Sequence, residues 1–126
     1  MHALIIDDSR TMRALLRRTL TPLGFTTSEA EHCQDALDQL EAGLTPDLCL
    51  VDWNMPVMDG YTFVTRVRAV APWRRITLMM VTTESSSAQI VRALAAGAHE
   101  YVIKPFTAEA IAEKLHLLGL VEQDRA

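Results

Sequence analysis

Three short apolar runs, at residues 3–6, 48–51 and 76–81, punctuate the chain without polar alternation. A strand that is apolar throughout is covered on both faces, as the central strands of a parallel sheet are. Two further runs, 25–30 and 101–103, are more polar or shorter and read as edge strands. Between the runs the apolar residues recur with helical spacing. Met12, Leu15, Leu16, Leu20 and Leu23 lead to Gly24, and Cys33, Ala36, Leu37 and Leu40 lead to Gly43. A third segment, 60–71, stops at Pro72. Ser85, Ser86 and Ser87 stand where a helix to Gly97 would be capped, with Ile90 and Leu94 inward. Thr107 stands before the last helix, with Ile111, Leu115 and Leu118 inward. Strand and helix alternate five times, which implies a parallel sheet with right-handed crossovers and helices on both faces.

At 126 residues the chain makes one domain with a substantial core. Its net charge of −4 lacks the basic patch of a nucleic-acid-binding surface. No stretch has the features of a secretory leader or the length of a membrane span, so a cytoplasmic protein is expected. Cys33 and Cys49 fall on a helix and a buried strand and read as reduced structural thiols. His2, His32, His99 and His116 show no zinc-type spacing.

Carboxylates mark the ends of two of the apolar runs. Asp52 closes the run before Val51-Asp-Trp-Asn-Met-Pro-Val-Met-Asp-Gly60 has finished, and Asp7-Asp8 follow the first run. The carboxyl ends of parallel strands are where open α/β sheets do their chemistry. If the two strands are neighbours, three carboxylates converge on one crevice. A hard divalent cation relieves that repulsion, and Mg²⁺ suits a shallow carboxylate site that keeps water. Asp59-Gly60 reads as a turn and helix cap.

Thr82 after the fourth run and Lys104-Pro105-Phe106 after the fifth complete a pattern of four motifs. In that order and spacing, over essentially the whole chain, they resemble a two-component response-regulator receiver domain of the stand-alone chemotaxis type. The resemblance implies a flavodoxin-like, doubly wound (βα)5 domain over residues 1–121, followed by a polar tail, 122–126. The strand order 2-1-3-4-5 comes with the resemblance, being the order known for that chemotaxis protein, and is not read from the pattern.

The resemblance also assigns roles. Asp52 would be the phosphoacceptor, assisted by Thr82 and Lys104. Asp7, Asp8, Asp52 and the backbone carbonyl of Asn54 would hold Mg²⁺, with Asp7 acting mainly through water. Thr82 and Tyr101 would form the switch, and Asn54 and Glu84 would tune the lifetime of the phosphoryl group. Lys104-Pro105 is a candidate cis peptide. The chemistry agrees with these assignments: carboxylates form covalent intermediates, and a compact ammonium suits a phosphoryl oxygen. Only two of the twelve basic side chains are lysines, and one stands at this position. Thr83 departs from the small residue usual after the switch threonine, which bears on access for bulky donors.

A histidine kinase or phosphotransfer protein is the expected donor. The expected target is a protein docking on the fourth helix, fifth strand and fifth helix, around Ile90, Tyr101 and Lys114. No nucleic acid or membrane partner, no turnover of substrate and a monomeric state are expected. Arg10, Arg13 and Arg17 form a basic stripe suited either to an acidic partner or to solvent, and Trp53 would rim the pocket. With no output domain apparent after Val121, the effect would be exerted through other proteins. Four alternatives fit less well. A haloacid-dehalogenase-type phosphatase spaces its aspartates differently, and a flavodoxin would not place Asp7-Asp8 against a phosphate. The others are an interaction module that has lost phosphorylation and a receiver fragment of a longer regulator.

Overall fold

The computed structural model describes residues 1–53, 58–83 and 87–121. Five strands, β1 (His2–Ile6), β2 (Thr26–Ala30), β3 (Leu48–Asp52), β4 (Thr77–Thr82) and β5 (Glu100–Ile103), form one parallel sheet in the order β2-β1-β3-β4-β5. Five helices cross between them: α1 (Arg10–Leu20), α2 (Cys33–Glu41), α3 (Gly60–Ala69), α4 (Ser87–Ala96) and α5 (Ala108–Leu117). The expected flavodoxin-like architecture is therefore present, with the more polar β2 and the short β5 at the edges of the sheet.

Side chains alternate across each strand, so the apolar runs divide between two cores. Leu4, Ile6, Cys49, Val51, Leu78 and Met80 pack with Cys33 and Leu37 of α2 and Phe63 and Val67 of α3. Ala3, Ile5, Leu48, Leu50, Met79 and Val81 pack on the other face with Leu16 and Leu20 of α1 and Ile111 and Leu115 of α5. A run that is apolar at every position is what this two-sided burial demands.

Local details differ from the sequence reading in three places. Leu15 is 41% exposed and Arg13 is only 8% exposed, because Arg13, Leu16 and Leu20 share the inward stripe of α1. On α4, Leu94 is exposed at 39% and Ala93 is buried instead. Helix α3 ends at Ala69 and not at Ala71, since Pro72 sits inside a short 3-10 turn, Ala71–Trp73. No helix among the described residues is long and apolar enough to cross a membrane.

Candidate phosphoacceptor site

Register builds the site. Ile6 pairs with Val51, so Asp7 and Asp52, each one step further on, leave the sheet side by side. Asp52 pairs with Val81, which puts Thr82 one step beyond, and Thr82 pairs with Ile103, which puts Lys104 one step beyond that. The Lys104 backbone N–H donates to the Thr82 carbonyl at 2.7 Å. The Lys104–Pro105 peptide bond is cis.

Asp7, Asp52 and Thr82 are buried, whereas Asp8 is exposed. The Lys104 ammonium lies 3.3 Å from Asp7 Oδ2 and 3.6 Å from Asp52 Oδ1. The other oxygen of Asp7 accepts the Ser9 backbone N–H at 2.8 Å, and Ser9 caps α1 by accepting from the Met12 N–H. Ligand atoms of Asp7, Asp8 and Asp52 all lie within 4.8 Å of one another. Oxygens on opposite sides of a Mg²⁺ ion stand ~4 Å apart, so small side-chain movements bring this set onto one ion. The charge also fits. Three carboxylates facing one ammonium leave two negative charges, which a divalent cation matches. Asp7, Asp8 and Asp52 could thus hold Mg²⁺. Asn54 and Glu84 fall outside the described residues.

Arg13 is a structural support that the basic-stripe reading does not anticipate. The Arg13 guanidinium donates to the Asp7 carbonyl at 2.7 Å and to Glu29 on β2 at 3.0 Å, pinning the loop that carries Asp7-Asp8. Arg17 also pairs with Glu29, at 3.1 Å. The presumed basic stripe is therefore broken: Arg13 braces the site from inside and only Arg10 and Arg17 face outward. Its signal was legible, since Arg13 lies three and seven residues before Leu16 and Leu20 on one helical face. Asp59 caps α3, as its reading as a turn and helix cap expects, by accepting the Thr62 N–H at 2.8 Å.

Trp53 does not rim the pocket. It is 8% exposed, packs in the α2–α3 core and meets Tyr61 edge-on at 6.3 Å between ring centroids. The Arg92 guanidinium of α4 sits over the other ring of that pair, 3.9 Å from the Tyr61 centroid. Thr83 is exposed beyond β4. Tyr101 is partly buried against the same core, with the Lys114 ammonium 4.8 Å from its centroid and paired with Glu100 at 3.0 Å. A groove of about 370 Å³ between β5 and α5 is lined by Tyr101, Ile103, Pro105, Phe106, Ala110 and Lys114. A roomier cleft of about 460 Å³ includes Pro46, Trp73 and Arg75, away from the carboxylates, and brings no cluster of acidic ligands together.

Residues 3–116 match the family model described as the response regulator receiver domain. The chain belongs to that family. The receiver domain is 40% identical over 119 residues to the chemotaxis protein CheY1 of Helicobacter pylori, covering 94% of this chain and 96% of that one. It is 42% identical over 116 residues to the chemotaxis protein CheY of Pseudomonas aeruginosa, covering 91% and 93%. Among solved structures, the chemotaxis response regulator CheY4 of Vibrio cholerae superposes with a TM-score of 0.86 at 31% identity, over 93% of this chain and 97% of that one.

Proposed function

We propose that this receiver domain accepts a phosphoryl group on Asp52 in a two-component phosphorelay and passes the signal to a protein partner. The observation that carries the reading is the convergence of Asp7, Asp8 and Asp52 on one another, with Lys104 within 3.6 Å of Asp7 and Asp52. A carboxylate oxygen of Asp52 attacks phosphorus, the bond from phosphorus to the donor breaks, and the electron pair leaves with the donor. Bound Mg²⁺ would supply charge neutralisation at the phosphoryl oxygens. Lys104 gives up its contact with Asp52 to hold a phosphoryl oxygen as a point charge, while Asp7 keeps the ammonium in place. Thr82 donates its hydroxyl to another phosphoryl oxygen. Asn54 and Glu84 are proposed to set how long the phosphoryl group survives attack by water.

Phosphorylation adds roughly −1.5 to −2 charge beside Thr82. The inward shift of Thr82 lets Tyr101 turn towards the core, and the α4–β5–α5 surface changes with it. The groove beside Tyr101, and exposed Ile103 on β5 and Val91 on α4, supply apolar area for a partner. The chemotaxis names of the relatives support a place in chemotaxis, with a histidine kinase or phosphotransfer protein upstream. On this reading the domain spans 1–121, resides in the cytoplasm, works as a monomer and is a signalling protein, not a turnover enzyme.

The test is the intact mass after incubation with a small phosphoryl donor, with and without Mg²⁺, beside Asp52→Asn. The expected result is one added phosphoryl group in the wild type alone, dependent on Mg²⁺. No addition to a folded, Mg²⁺-binding protein would make it an interaction module of receiver fold.

A further inference from the structure

The pole of the domain opposite the phosphoacceptor holds the open cleft of about 460 Å³, a volume within the ~300–1,000 Å³ range of ligand sites. It crosses the edge of the sheet where β3 and β4 begin, and Asp47 and Thr77 line it there. Asp52 closes β3 at the other end, ~13 Å away along the strand. Leu44, Trp73 and Leu120 form the apolar part of the wall, each packed on a core yet only partly buried. Arg75 stands exposed beside them.

Both sides of the cleft are braced from behind. The turn that carries Trp73 contains Pro72, and two arginines clasp it reciprocally: Arg68 donates to the Arg74 carbonyl at 3.1 Å, and Arg74 donates to the Arg68 carbonyl at 3.2 Å. Across the cleft, the Asp47 N–H donates to the His2 carbonyl and the Asp47 carboxylate accepts the His2 N–H, each at 2.8 Å. Asp47 is therefore committed. Arg75 is not, since its guanidinium makes no hydrogen bond or ion pair among the described residues. The surroundings favour an anion. Arg66, Arg68, Arg74 and Arg75 are the only charged residues between Asp59 and Glu84, in a chain whose net charge is −4. A small molecule would be poorly enclosed, because ligand sites bury ~70–90% of their ligand and exposed Thr45, Pro72 and Arg75 leave this cleft open. An extended chain can lie along it.

We propose that this cleft docks an acidic peptide segment of a partner protein. A carboxylate of the segment pairs with the Arg75 guanidinium, whose planar fork can hold both oxygens. A neighbouring apolar side chain of the segment lies on Trp73 and Leu120, where a half-exposed indole offers a large rigid contact. The cleft and the carboxylate cluster are at opposite ends of β3, so a partner held here leaves Asp52 open. Occupancy does not depend on whether Asp52 accepts a phosphoryl group.

The probe is a capped peptide of alternating glutamate and leucine, with the glutamine–leucine peptide as its neutral counterpart. The two indole N–H resonances, assigned with Trp73→Phe, separate cleft from core, since Trp53 is buried beside Tyr61. The acidic peptide is expected to shift the Trp73 signal saturably at millimolar concentration and to leave the Trp53 signal in place. Arg75→Gln and the neutral peptide are each expected to weaken binding about tenfold or more, and added salt to weaken it further. Because Arg75 is exposed, Arg75→Gln is expected to keep the wild-type Tm, so that its loss of binding reports the lost pair. A Trp73 signal that does not shift, or does not saturate, overturns the proposal. Equal binding by Arg75→Gln, or of the neutral peptide, overturns it too. Two other occupants would do the same: a second copy of the chain, seen as a Trp73 shift with protein concentration alone, and nucleic acid, seen as tighter binding of a short oligothymidylate than of the peptide.

Discussion

A β-carbon built on Gly60 would lie 2.6 Å from Met80 Cε, 3.0 Å from the Asp52 carbonyl oxygen and 3.1 Å from Trp53 Cα. The methionine end can move, but the backbone of β3 cannot move without carrying Asp52 with it. Gly60 also donates its N–H to the Trp53 carbonyl at 3.1 Å, so the start of α3 and the end of β3 are locked together. Gly60→Ala is therefore expected to cost about 1–3 kcal/mol through overpacking and to slow phosphoryl uptake at Asp52. Urea unfolding and the uptake rate measured by intact mass check the two effects. Normal uptake in a destabilised variant would separate packing from site geometry. The thiols make a second residue-scale case. Burial, reinforced by Asp59 and then Asp52, pushes the Cys33 thiol up to about 12. Burial likewise pushes Cys49 up to about 12, with Arg68 opposing and Cys33 assisting. Neither thiol should react with a disulfide reagent at mildly alkaline pH until the chain is unfolded. Rapid labelling of the native protein would contradict that burial.

At the scale of elements, the knot joining α3, β4 and the entry to β5 carries a pH dependence. His99 Nδ1 accepts the Leu78 backbone N–H at 3.2 Å and lies 3.2 Å from the Arg68 guanidinium, which also donates to the carbonyls of Gly97 and Ile76. Both neighbours require an unprotonated Nδ1. Burial, then the Arg68 charge, lowers the His99 pKa from its ordinary 6.5. The unfolded chain thus takes up this proton at higher pH than the folded one. The contribution is fully present above 6.5 and is lost as pH falls from there through the lower folded value. His99→Asn places an amide oxygen where Nδ1 stands and does not titrate. It is expected to flatten this part of the acid dependence of stability, read from urea midpoints across the range. An unchanged pH profile would assign the dependence elsewhere. Element type was legible from the sequence because two-sided burial leaves an unbroken apolar run and one-sided burial leaves a helical stripe. The places where that reading slipped share a cause. Arg13 lies on an inward stripe but finds a carbonyl and Glu29 there, and Leu94 is displaced by the smaller Ala93. Both depend on which neighbour faces the helix, and the helical period carries no information about that.

For the molecule as a whole, parallel strand register turns four separate sequence motifs into one cluster, because each functional residue stands at the last paired residue of its strand or one step past it. That convergence was legible once the strand order was taken from the family resemblance. The partners of Arg13 were not, since its inward position shows in the helical period but its contacts with the Asp7 carbonyl and Glu29 arise only between helix and sheet. Gathering three carboxylates around one ammonium has a thermodynamic consequence. The folded state concentrates negative charge that the unfolded chain disperses, so a cation binding only the folded site stabilises the entire domain. At a hundredfold excess over its dissociation constant such a ligand contributes about 2.7 kcal/mol. Mg²⁺ is therefore expected to raise the Tm by several degrees, and chelation to reverse the rise. Asp8→Asn tests the origin of the effect. Asp8 is exposed and contributes charge and not packing, so its loss should leave the Mg²⁺-free Tm equal or slightly higher. The same variant should need a much higher Mg²⁺ concentration for the same rise. An identical Mg²⁺ titration in Asp8→Asn and wild type would place the cation somewhere other than this cluster.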